Sequence, residues 1–272
     1  MRGRKFSLSR MLGTSTVLAG LLLGLVAAPA SAGSAASPAG ADEAARARAT
    51  GASVEIVGWR TATQRVYANP DGTRRAVFSL PTGDAAALSQ NWLGSASWTS
   101  VSSQYPNQPY WLDSVARVGY LSDAGSTGVW RSLFQFDTAA LQGKVIENAT
   151  FQILLNHSWS CQPTPVQFWQ TAPISPSTTW STQGPWLAQL GQVSASAYSG
   201  CGQSPRTVAF GGAALRNLIQ EGASASSTTA TVGLRAASET NQTQWKRFTP
   251  ANTSLTVVYS DPLPPVEPTH LS

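Results

Sequence analysis

The sequence predicts an all-β protein, an antiparallel jelly-roll-like β-sandwich with one short helix. Three observations carry this. Apolar runs recur at short spacing with turn residues between them, and many alternate with period two, as in Phe151, Ile153, Leu155 and Leu255, Val257, Tyr259. The composition is poor in charge (11%) and contains ten Trp, with abundant Ser, Thr and Gly, which suits half-buried pleated surfaces better than helices. Only one segment of the body carries a strong helical period, Ala213 to Glu221, which places Leu215, Leu218 and Ile219 on one face after Gly211-Gly212.

Taken in order, residues 1–32 have the layout of an export signal. Arg2, Arg4, Lys5 and Arg10 form a basic front, Val17 to Ala28 an apolar run, and Ala30-Ser31-Ala32 a small-x-small cleavage site. The apolar run falls short of the roughly 20 residues a membrane span needs. No second such run follows, so no membrane insertion is expected after cleavage. Four of the 18 basic residues lie in this segment and none of the 13 acidic ones, leaving 14 against 13. The basic pI is therefore largely a property of the signal, and a nucleic-acid partner is not expected.

Residues 33–53 are Ala-, Ser- and Gly-rich and read as a disordered spacer. A weak helix over Ala41 to Ala49 would have nothing to pack with. In 54–84, the turn Asn69-Pro70-Asp71-Gly72 between Arg65-Val66-Tyr67 and Arg74 to Phe78 predicts a hairpin. It would be an edge addition or a loosely attached prologue, with Pro81 to Asp84 as linker. The sandwich module is assigned to residues 85–260, and about 175 residues is ample for one core. Its central hairpin pairs Ser114 to Tyr120 with Val129 to Phe136 across a Gly/Ser/Asp loop. Residues 261–272 form a Pro-rich tail.

The two cysteines, Cys161 and Cys201, read most simply in an exported chain as one disulfide, with two free thiols as the alternative.

Several blocks occur in order: GVWRSLFQFD, LQGKVIENATFQI, SWSCQPTPVQFWQT, SPSTTW, GLRAASETNQTQWKRF and LTVVY. Together, over Ala85 to Tyr259, they resemble the DNRLRE-type, carbohydrate-binding-like module of secreted actinobacterial proteins. RVYANPDGT resembles the opening of Rhs/wall-associated-type proteins, although the longer prologue and downstream repeats of that type are missing. The resemblance implies a jelly-roll sandwich, an extracellular location and no catalysis of its own. Some such modules bind polysaccharides such as alginate, and many serve as spacers.

The residues agree with a non-enzyme. No Gly-x-Ser-x-Gly occurs, and a triad would have to use His157, since the other histidine, His270, lies in the tail. His157 reads instead as a local structural group near the cysteines. Asp113, Asp123, Asp137, Glu147 and Glu239 are scattered, without the spacing of a carboxylate pair. Sugar recognition needs an aromatic face beside amides or carboxylates. The candidates are Tyr110, Trp111, Trp130 and Trp186, then Trp180 and Trp245. Trp92, Trp159 and Trp169 sit in strand-like patterns and are expected in the core. No cofactor is expected. A structural calcium, which takes oxygen ligands, would draw on Asp113, Asp123 and Asp137, although Asp123 also suits a turn and Asp137 a cap. Two functions follow, a secreted polysaccharide-binding module or a structural spacer of a surface protein. An exposed row of aromatics would favour the first, and buried Trp throughout the second.

Overall fold

The computed structural model describes residues 39–55, 64–80, 96–123, 125–225 and 227–263. The expected export signal, the expected Pro81–Asp84 linker, Trp92, His270 and residues 264–272 of the tail lie outside the described residues. Among the described residues are thirteen strands and two α-helices. The strands are β1 (Val54–Glu55), β2 (Gln64–Ala68), β3 (Arg74–Ser79), β4 (Ala96–Ser102), β5 (Tyr110–Trp111), β6 (Ala116–Asp123), β7 (Ser126–Asp137), β8 (Val145–Ser158), β9 (Thr164–Thr171), β10 (Trp186–Ala195), β11 (Arg206–Gly211), β12 (Thr229–Ala236) and β13 (Lys246–Ser260). The helices are α1 (Ala39–Thr50) and α2 (Ala213–Ser224).

Every pairing between these strands is antiparallel. The first sheet runs β1-β2-β3-β13-β8-β11. In the second, β4, with β5 added to it, pairs with one edge of β7, while β6 and β12 share the other edge and β9 and β10 follow β12. The two sheets are continuous through β6. Its first residues pair with β13, ending at Val118↔Lys246, and its remainder pairs with β7 from Gly119↔Trp130. Gly119 makes that corner possible. Its φ is +98°, and a Cβ there would meet the backbone of Trp245 at 3.0 Å.

Period-two patterning fills the space between the sheets. Phe134 and Phe136 of β7 and Phe168 of β9 meet Phe151 of β8 and Phe210 of β11. Ring centroids lie 5.4 Å apart for Phe134–Phe151, 5.0 Å for Phe151–Phe168 and 4.9 Å for Phe168–Phe210. All five side chains are buried, each stabilising the fold by about 2 kcal/mol relative to exposure. Helix α2 adds Leu215, Ile219 and Ala223 to the same core.

Several expectations change. The central hairpin has no eight-residue loop. β6 and β7 extend into it until Asp123 pairs with Ser126. The proposed spacer contains α1, which does pack: Ala47 is fully buried and the Arg48 guanidinium lies against the Gly72 turn. Of the two placements open to the hairpin of β2 and β3, the structure has the edge addition, because β3 pairs with β13 from Ser79↔Ser254 to Arg74↔Tyr259. β4 and β10 are strands that the apolar pattern did not reveal. β4 buries three hydroxyls alongside Trp98 and Val101. Thr99, Ser100 and Ser102 are inaccessible, and Ser100 Oγ lies 2.9 Å from Ser132 Oγ.

Candidate functional site

The outer face of the second sheet carries most of the candidate residues. Strand parity sends Val101 of β4 and Leu133 of β7 away from the main core. They are not left to solvent, because the β9–β10 connection folds back over them. Val101, Leu133 and Ile174 form a second small core, edged by Trp111, Trp180 and Trp186. Polar bonds hold the connection there: Ile174 N–H donates to Gln135 Oε1 (2.9 Å) and Ala172 N–H to the Pro185 carbonyl (3.1 Å).

Beside this core, indoles and guanidiniums alternate in the order Trp180, Arg131, Trp186, Arg235, Trp169. The Arg131 Cζ is 4.5 Å from the Trp180 ring centroid and 5.3 Å from that of Trp186, and the Arg235 Cζ is 5.5 Å from Trp186 and 3.9 Å from Trp169. Each spacing is within cation–π range. Arg131 also donates to both carboxylate oxygens of Glu239 at 2.7 Å. Gln183 accepts from Trp186 Nε1 (2.9 Å), and Gln167 accepts from Trp169 Nε1 and Arg235 Nε (3.1 Å each). Trp186 can lie flat because Gly233 stands beneath it, where a Cβ would come within 2.7 Å of the ring. Trp186, expected as a ligand platform, is thus clamped between two arginines. Trp169, expected in the core, is half-buried on the outside.

Trp130 is likewise no platform. It is 6% exposed, with Tyr110 edge-on at 5.0 Å and the Arg117 guanidinium at 4.9 Å. Tyr110 is half-buried, and burial pushes its phenol above the ordinary value. Asp113 is paired with Arg117 (2.9 Å). The three aspartates do not converge. Asp123 sits at one end of β7 and Asp137 at the other, and twelve strand residues put roughly 35 Å between them. Among the described residues no three His, Cys, Asp or Glu side chains gather at metal-binding distance.

Around the Cys161–Cys201 disulfide the roles of two tryptophans are exchanged. Trp245, expected at the rim, is buried, while Trp159, expected inside, is 40% exposed. His157 packs edge-on against Tyr198 (5.4 Å) and Trp245 (5.9 Å). Burial, reinforced by Arg247, holds its pKa below the ordinary imidazole value.

Two sequence candidates do come together. Trp111 and Asp137 line one open cleft of about 500 Å³ at the end of the second sheet, with Ser97, Gln135, Ser175, Thr228 and Thr229. Gln135 Oε1 is committed to the Ile174 N–H and the Thr231 hydroxyl (3.1 Å), so its amide N–H groups are the donors it offers. Asp137 accepts from the Ala139 N–H at 3.0 Å through Oδ1 and is otherwise exposed. The cleft therefore offers an indole wall, one carboxylate, one amide and four hydroxyls. Gln135 was legible only as the polar half of the RSLFQFD alternation, and nothing local marked it for a site. No family model and no curated protein matches the chain.

Proposed function

We propose that this chain is an exported, non-catalytic β-sandwich module that holds a neutral saccharide unit in the cleft of Trp111, Gln135 and Asp137. The observation that carries this reading is the convergence of those three side chains with the surrounding hydroxyls. An indole takes the C–H face of a pyranose, while the carboxylate and amide take its hydroxyls. A lone carboxylate disfavours an acidic sugar there. Hydrolysis by the usual carboxylate pair needs two acids about 5–10 Å apart, and of the residues lining the cleft only Asp137 is one. The Cys161–Cys201 disulfide suits an oxidising compartment. Among the described residues no helix is long and apolar enough to cross a membrane. The resemblance of the ordered sequence blocks to DNRLRE-type modules points the same way.

Affinity electrophoresis against a panel of neutral soluble polysaccharides tests the proposal. At least one should retard the protein, and Trp111→Ala should weaken that retardation about tenfold or more, as loss of a stacked aromatic does. Retardation by none of them would favour the second reading, a spacer or assembly domain of a surface protein. One observation supports that alternative. Three outer-face tryptophans are occupied by arginines, and the exposed large aromatics among the described residues are Tyr105 and Trp159, which belong to no common row.

A further inference from the structure

A second cleft, about 420 Å³, lies between α2 and the β9–β10 connection. It differs from the first in chemistry. Its walls are Pro173, Pro185, Leu187, Leu218 and Ile219, and Glu221 is its one charged lining residue. Leu187 is 54% exposed and Leu218 is half-buried, so apolar surface faces the opening. The lining also holds a hydroxyl with nothing to bond: Thr171 is only 4% exposed, and its Oγ1 has no hydrogen-bond partner among the described residues. A buried hydroxyl without a partner is costly, and a carbonyl entering the cleft would supply an acceptor.

The two clefts are neighbours. Thr229 lines both, and the segment between them is one chain thick. Its residues Ala172 and Pro173 line the apolar cleft, and Ile174, Ser175 and Pro176 line the polar one. Bonds to Pro185, Gln135 and Thr178 fix that partition, whose thickness is about 5 Å. A ligand could straddle it with a short linkage.

We infer that the second cleft takes an acyl group carried by the bound saccharide, so that the ligand is an acylated, amphipathic glycan and not a plain sugar chain. The acyl carbons lie against Leu187, Leu218 and the two prolines, and the ester carbonyl accepts from Thr171. The inference rests on the saccharide reading for its polar half.

The test compares glucose with 6-O-octanoylglucose, below the ester's micelle threshold, by calorimetric titration of the full chain. The ester should bind at least about tenfold more tightly, equivalent to burying about two methylene groups. Leu187→Asp, at an exposed position, should abolish that gain, and Thr171→Val should reduce it several-fold. Equal affinities, or a gain that survives Leu187→Asp, would overturn the acyl assignment. The saccharide reading then stands or falls separately, on the Trp111→Ala result with plain polysaccharides. Binding of free octanoate but not of the ester would overturn the assignment too, leaving an apolar site unconnected to sugar.

Discussion

Lys246 shows at the scale of one residue how strand parity overrides side-chain preference. In Lys246-Arg247-Phe248 the first and third residues face inward and the second outward. Lys246 is fully buried and Arg247 exposed. The ammonium donates to Thr164 Oγ1 (2.6 Å) and to the Gln244 carbonyl (3.3 Å), both neutral. Burial without a counter-charge pushes its pKa down to about 8 from 10.5. Below about pH 8 the group is charged in both folded and unfolded chains, and the penalty is fully present. Between about 8 and 10.5 the folded chain gives up its proton first, so the unfolded chain binds more protons and stability rises with pH. That shift corresponds to at most about 3 kcal/mol. Lys246→Met is therefore expected to raise stability at pH 7 by roughly 2 kcal/mol, with the advantage shrinking as pH climbs to 10.5. Urea unfolding of both proteins across that range measures it, and tyrosine ionisation cancels in the difference. An advantage independent of pH would mean that the ammonium is not what destabilises the site. The sequence showed a basic pair here; which member is buried follows from the position of Phe248, two residues on.

At the scale of elements, the Trp–Arg ladder ties together pieces far apart in the chain. Arg131 on β7 and Glu239 after β12 are 108 residues apart, Trp180 belongs to the connection that covers the sheet, and Trp186 begins β10. The ion pair is mostly shielded, with side chains 18% and 23% exposed, so its partners are not screened as a surface pair would be. Arg131→Ala removes both the pair and two indole contacts. It is expected to lower the unfolding free energy by roughly 2–3 kcal/mol, below the full value for a wholly buried pair. Arg131→Lys should recover only part, because an ammonium lacks the planar fork. Urea midpoints followed by tryptophan fluorescence give both numbers. A loss below about 0.5 kcal/mol, the scale of an inconsequential surface change, would show that the ladder does not hold the connection in place. Elements with clean periodicity (β7, β8, β12, β13 and α2) were legible in the sequence. β4 escaped because it is buried on both faces and three of its buried residues carry hydroxyls, which leaves no apolar alternation, and β10 because Leu187, Ala188 and Gln189 are exposed in succession at a sheet edge.

For the whole molecule, the architecture is two sheets made continuous by β6 and closed on one side by an N-terminal hairpin. β3 occupies the edge of β13 from Ser254 to Tyr259, and Phe78 is buried in the common core. Deleting residues up to Leu80 would strip that edge and expose apolar surface beneath it. The shortened chain is expected to melt at lower temperature and to associate, as seen by scattering and calorimetry. Unchanged melting would make 39–80 an independent appendage. The class of the fold was written in the sequence because period two is local: a strand that buries one face must alternate wherever it ends up. The disulfide was legible too, since two cysteines leave one intramolecular pairing. Which tryptophans remain free was decided only by tertiary structure. Trp111 and Asp137 share a cleft because β5 adds to β4 while Asp137 ends β7, and Trp186 is occupied because arginines on two other strands reach it. Burial of an aromatic depends on what crosses over it, and the groups that cross over here come from strands paired at long range, which no local pattern records.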